Sequence, residues 1–216
     1  MRLQRSVFHI CSDFEMAKVR SQAIDWAVDE WNVHIISLSF GFRDAHNLID
    51  AAIDRAIEKG RLIFAAASNG GGLKSRTRPA TNRNVLCIHA CDGLGNKGDM
   101  NPDPRARAYN FSTLGVGIHS RWKRDGKRVD VWKSGTSFAT PIAAGFAADI
   151  LEFANVRCEL SDHQRAILKK IRGMNALFEG MSRERDGYDF VHPMRLWDGK
   201  GDEEVAKYIE EVIQVL

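Results

Sequence analysis

Gly135-Thr136-Ser137-Phe138-Ala139-Thr140-Pro141 is the stretch on which the fold of this chain turns. Behind it, Ala139, Ala143, Ala144, Ala147 and Ala148 favour a helix over 137–153, and Ile142, Phe146, Ile150 and Leu151 give that helix apolar contacts. Ser137 then stands at the helix start, where backbone N–H groups have no internal partner and the dipole favours negative charge. Pro141 falls within about the first turn, where a missing N–H costs little. Gly135 allows a tight approach into the helix. A serine hydroxyl is a poor nucleophile at neutral pH and needs both a base and rigid placement. The same residues also read as an N-capping Ser before a buried helix.

Two upstream stretches belong with this one. Arg61-Leu62-Ile63-Phe64-Ala65-Ala66-Ala67-Ser68-Asn69-Gly70-Gly71 is an apolar strand ending in Asn and glycines. Alone it reads as a strand and an Asn-Gly turn. Val33-His34-Ile35-Ile36-Ser37-Leu38-Ser39-Phe40-Gly41 is, alone, a buried strand. Together and in this order the three resemble the subtilisin-like serine proteases. Gly135–Pro141 resembles the nucleophile signature Gly-Thr-Ser-x-Ala-x-Pro, 66–69 the strand Ala-Ala-Gly-Asn, and 33–41 the strand ending in Ser-Leu-Gly. The resemblance spans about residues 5–175.

It implies that Ser137 is the nucleophile and that Asn69 donates to the oxyanion. It implies that Ser39, Phe40 and Gly41 on one side, and Ala66, Ala67 and Ser68 on the other, flank an extended polypeptide substrate. Ser68 stands where the family has Gly. The implied fold is α/β: a mainly parallel sheet with helices on both faces, lacking the N-terminal strands, with four strands at about 6–11, 33–40, 61–67 and 85–91. The strand at 6–11 would expose an edge.

The family's Asp-Ser/Thr-Gly and His-Gly-Thr-His motifs do not occur in the sequence. The expectation is a C-terminal portion of a catalytic domain, inactive or very weak alone, with an N-terminal segment supplying Asp and His as its partner. Of the seven histidines, His9, His34 and His89 lie in strand-like runs, and His46 is the one candidate for a substitute base. The alternative is a catalytically inactive pseudoprotease that binds peptide without chemistry.

Three other stretches offer rival sites. Gly93-Leu94-Gly95-Asn96-Lys97-Gly98 matches a dinucleotide fingerprint, but Asn101-Pro102-Asp103-Pro104 blocks the helix that such a site needs. Arg121-Trp122-Lys123-Arg124, with Lys127 and Arg128, could touch nucleic acid or acidic substrates, though a solvated hairpin is the simpler reading. An α/β-hydrolase would use Ser137, Asp162 or Asp189, and His192, but its elbow calls for Gly where Ala139 stands.

Helices and strands alternate as βαβ units. Ser12-Asp13-Phe14-Glu15 reads as a capping box for a helix to about Trp31, with Val19, Ala23, Ile24, Ala27, Val28 and Trp31 inward. A second helix runs over about 45–59, with Leu48, Ile49, Ala52, Ile53, Ala56 and Ile57 inward. Arg78-Pro79-Ala80 resembles a cis-proline site of the family, with Arg in place of Tyr. Residues 72–84 and 92–108 read as loops, and 111–132 as a hairpin turning at Asp125-Gly126. Ser161-Asp162-His163-Gln164 caps a helix to about Ile171. The catalytic portion is assigned to 1–177. Residues 178–201 read as charged and irregular, followed by an amphipathic helix over about 202–216.

A chain of 216 residues with 44% hydrophobic content suffices for one core, and a net charge of +3 selects no partner. Neither nucleic acid nor membrane is expected as a partner. Cys11, Cys87, Cys91 and Cys158 show no metal spacing and read as free thiols. No cofactor is called for. The resemblance leaves room for calcium, but no residues mark a site. With no apolar leader or span, an intracellular, cytoplasmic setting is expected.

Overall fold

The computed structural model describes residues 7–10 and 17–216. Cys11 and the 12–15 capping box lie outside the described residues. The elements in chain order are β1 (Val7–Ile10), α1 (Ala17–Asp29), β2 (Ile35–Leu38), α2 (Asn47–Glu58), β3 (Leu62–Ala66), β4 (Leu86–Cys91) and β5 (Phe111–Leu114). Then follow β6 (Ile118–Arg124), β7 (Lys127–Lys133), α3 (Thr136–Arg157), α4 (Asp162–Leu168), α5 (Ile171–Gly180), β8 (Ser182–Arg185), β9 (Tyr188–Val191), α6 (Met194–Trp197) and α7 (Asp202–Gln214).

The main sheet has seven strands in the order β1-β2-β3-β4-β5-β9-β8. All pairs are parallel except β8–β9. Its strands alternate between two apolar faces. Ile35, Leu62, Phe64, Leu86 and Ile88 pack toward α3, while Ile36, Leu38, Ile63, Ala65 and Cys87 pack toward α1 and α2. Burial on both faces is why these strands read as unbroken apolar runs. Ala139, Ala143, Ala144 and Ala147 are fully buried on α3 and let its backbone approach the sheet closely.

Several expectations are corrected. The sheet has seven strands, not four. Phe111–Leu114 joins it beside β4 instead of entering the hairpin, which comprises β6 and β7 alone. That hairpin turns at Asp125 and Gly126, both with positive φ, as a two-residue turn requires. Residues 178–201 are not irregular: Tyr188–Val191 pairs with β5, and its Tyr188, Phe190 and Val191 are buried. The helix from Ser161 keeps its capping box but stops at Leu168, and α5 starts afresh. Val19 and Leu48 are exposed, because the inner stripe of α1 runs through Arg20, Ser21, Ile24, Ala27 and Val28 and that of α2 through Ile49, Ala52, Ile53 and Ala56; Trp31, beyond the end of α1, is exposed too. α7 docks on the core through Val205, Ala206, Ile209 and Ile213. Among the described residues no helix is long and apolar enough to cross a membrane.

Candidate active site

Ser39 follows β2, Asn69 follows β3, and Gly115 follows β5, so the carboxyl ends of three strands converge where α3 begins. This is where open parallel sheets place ligand sites. Gly135 is the residue before α3 and donates its N–H to the Gly115 carbonyl at 2.8 Å. Ser137 is therefore the second residue of the helix, not its N-cap. It is half-buried. Among the described residues, its hydroxyl and N–H have no hydrogen-bond partner.

Asn69 is exposed at the end of β3. Its Oδ1 accepts the Thr136 N–H at 2.9 Å and the Thr136 hydroxyl at 3.0 Å. Those two donors orient the amide and leave Nδ2 unpaired among the described residues. A Cβ on Gly135 would lie 3.2 Å from that nitrogen, so Gly135 keeps the approach open. Ser68 retains a backbone conformation that favours glycine, with φ 154°, and its hydroxyl accepts the Gly70 N–H at 3.2 Å.

Pro141 is the sixth residue of α3, preceded by five helical residues, so it falls in the second turn. The carbonyl it cannot serve, that of Ser137, is met by the Ser39 hydroxyl at 3.0 Å. Phe40 is buried, with the Arg20 guanidinium 4.8 Å from its ring centre. Gly41 is exposed, and a Cβ there would collide with Thr77. Phe42 and Arg78 exchange backbone hydrogen bonds at 2.9 Å, tying the 39–42 segment to the segment leading into the cis Arg78–Pro79 bond. Ala66 and Ala67 are buried, and the N–H and carbonyl of Ala67 bond Ile88 and Thr77. Ser68 and Asn69 line a cleft of about 530 Å³ together with Arg43, Lys74, Arg76 and Thr77. Lys74 packs directly over Gly70. The basic residues of this cleft carry no motif and were missed from sequence.

Several histidine rings pack against other aromatic side chains, and the His46 Nδ1 is buried without a hydrogen-bond partner among the described residues. His46 packs 5.8 Å from Phe42, His119 5.1 Å from Trp132, and His192 5.6 Å from Phe190. His89 is fully buried in β4, its Nδ1–H donating to the Phe111 carbonyl at 3.1 Å. Burial, aided by the Arg76 charge, pushes its pKa down to about 3, so the ring is neutral. Asp189 accepts the Asn110 N–H at 2.7 Å. The residues 93–98 form a turn, with Asp92 accepting from Leu94 and Asn96, and no helix follows. Burial pushes the thiols of Cys87, Cys91 and Cys158 up to about 11, and all three are free. Among the described residues, no three His, Cys, Asp or Glu side chains converge as metal ligands.

The fold agrees with comparison to known proteins. The chain belongs to the subtilase family, whose model matches residues 16–188. It is 34% identical over 128 residues to a thermostable alkaline protease of Halalkalibacterium halodurans, covering 59% of this chain and 34% of that protein. It is 33% identical over 139 residues to the subtilisin-like protease het-Q2 of Podospora anserina, covering 61% of this chain and 37% of that protein. The chain thus spans about a third of the length of these curated relatives. Among solved structures, the prenylagaramide maturation protease PagA shares the fold with a TM-score of 0.66 at 24% identity, over 91% of this chain and 70% of that one. The patellamide maturation protease PatA does so with a TM-score of 0.61 at 24% identity, over 89% and 68%.

Proposed function

We propose that this chain carries the nucleophile half of a serine endopeptidase. Ser137 attacks the scissile carbonyl and forms the acyl-enzyme, while Asn69 Nδ2 and the Ser137 N–H hold the tetrahedral oxyanion. The observation that carries this reading is the Thr136–Asn69 pair of hydrogen bonds, which leaves one amide donor unpaired beside the helix start. A decayed site has no need to orient that amide.

The base and its orienting carboxylate come, in this reading, from a polypeptide segment bearing the family's His and Asp. The burial of His89 against the Phe111 carbonyl and the packing of His119 and His192 on Trp132 and Phe190 support this. β1, at the sheet edge, offers such a segment a strand to pair with. The substrate is a polypeptide. Arg43 and Lys74 beside Asn69 favour an acidic side chain in the cleft. Acyl transfer of this kind needs no cofactor.

The test is labelling by a fluorophosphonate probe, with Ser137→Ala as control. Labelling that requires an added segment carrying the Asp and His motifs supports the split reading. Labelling of the chain alone means that a base lies within it. No labelling of folded protein in either case favours the second reading, a peptide-binding pseudoprotease, which the engaged histidines also permit.

A further inference from the structure

A second cavity, of about 520 Å³, lies beside the segment that runs from Arg76 into β4. Four arginines line it: Arg76, Arg83, Arg105 and Arg107. Arg83, Arg105 and Arg107 are exposed, whereas Arg76 is only 8% exposed. The Arg76 Nη2 donates to Asn110 Oδ1 and, at 3.4 Å, to the Tyr109 carbonyl. Its Nε is buried and has no acceptor among the described residues. None of the four forms an ion pair among the described residues. The neighbouring carboxylates are already engaged, Asp189 by the Asn110 N–H at 2.7 Å and Glu179 by the Tyr109 hydroxyl at 3.3 Å.

A buried guanidinium with no direct ion pair and an Nε that lacks an acceptor is costly. Burial lowers the Arg76 pKa and the like charge of Arg105 adds to that, while the Asp189 carboxylate offsets part of it. The guanidinium fork matches phosphate oxygens in geometry and keeps its charge under these conditions. Asn82 and Asn175 add polar groups to the lining, and Phe111 and Ile171 supply an apolar side. The volume falls within the range of small-molecule sites.

We propose that this cavity binds a small multivalent phosphate compound, with Arg76 at its floor and Arg83, Arg105 and Arg107 at its rim. The site is separate from the peptidase chemistry and stands whether or not Ser137 reacts. Arg76 lines both this cavity and the Asn69 cleft, so a bound anion would also brace the 74–78 segment that frames the cleft.

Isothermal titration of the full chain with inorganic pyrophosphate tests this. One saturable site is expected, weakened at least tenfold in the double variant Arg105→Ser/Arg107→Ser, whose positions are exposed and leave the core untouched. The hairpin variant Arg121→Ser/Lys123→Ser removes an equal charge elsewhere and should bind as the parent does. Arg76→Gln, with its fold checked by thermal melting, should lose the site. Absence of saturable binding overturns the proposal. So does binding indifferent to the Arg105/Arg107 change, or weakened equally by the hairpin change, which would mark non-specific attraction to a basic surface.

Discussion

The Ser39 hydroxyl donates to the Ser137 carbonyl at 3.0 Å and takes the place of the N–H that Pro141 lacks. In an uninterrupted helix the residue four positions on would supply that donor. Here a side chain at the end of β2 supplies it, and so ties the strand end to the start of α3. Ser39→Ala should cost about 0.5–1.5 kcal/mol, the usual net worth of such a bond. Pro141→Ala restores a backbone donor, so in that background the Ser39→Ala cost should shrink. Urea unfolding of the four proteins in a double-mutant cycle reads the difference. Equal costs in both backgrounds would show that the two donors are not alternatives.

Asn69 is placed by Thr136, and its free amide is assigned to the oxyanion. Loss of one such donor in a subtilisin lowers the rate by about 10²–10³, and the same range is expected for Asn69→Ala in fluorophosphonate labelling of the complemented protein. Thr136→Val removes the hydroxyl donor to Oδ1 but keeps the N–H, so its effect should be smaller. Fluorescence melting should show both variants folded. A Thr136→Val loss as large as that of Asn69→Ala would mean that orientation, not donation, dominates.

Arg43 and Lys74 line the Asn69 cleft. Peptides with Asp or Glu in the cleft should be preferred over their amide counterparts, and Arg43→Glu/Lys74→Glu should reverse the preference toward Lys or Arg. Both groups are exposed, so the discrimination should weaken as salt is raised. Cleavage of a paired peptide library by the complemented enzyme, at two salt concentrations, checks this.

His89 makes the fold sensitive to acid. Its folded pKa of about 3 lies below the unfolded value of about 6.5. Between those values the unfolded chain binds the extra proton, so stability is full above pH 6.5 and falls as the pH drops toward 3. His89→Gln keeps an N–H for the Phe111 carbonyl but does not titrate. Its urea midpoint should fall less between pH 7 and pH 4.5 than that of the parent, and a parallel decline would assign the acid sensitivity to other groups.

The elements most legible in the sequence were those set by neighbours in the chain. The alanine-rich run after Ser137, the Ser161 capping box with Gln164, the Asp125-Gly126 turn and the apolar strands before Ser39 and Asn69 all depend on local spacing. Elements whose pattern depends on distant partners were misread. Tyr188–Val191 is short and sits in a charged stretch, and only pairing with β5 makes it a strand. Val19 and Leu48 are as apolar as their buried neighbours, and which face of each helix meets the sheet follows from how α1 and α2 pack on it.

The candidate site divides the same way. The identities of Ser137, Asn69 and Ser39 could be read from three short motifs, because the chemistry asks for those residue types at those spacings. What the motifs could not say is that Thr136 holds the Asn69 amide, that Ser39 stands in for a missing helix donor, or that four arginines share one cavity. The first two join residues 67 and 98 positions apart, and the third brings together two separate segments, 76–83 and 105–107. A sequence determines such partners only through the assembled sheet, since it is the sheet's register that brings the strand ends and the start of α3 within hydrogen-bonding distance.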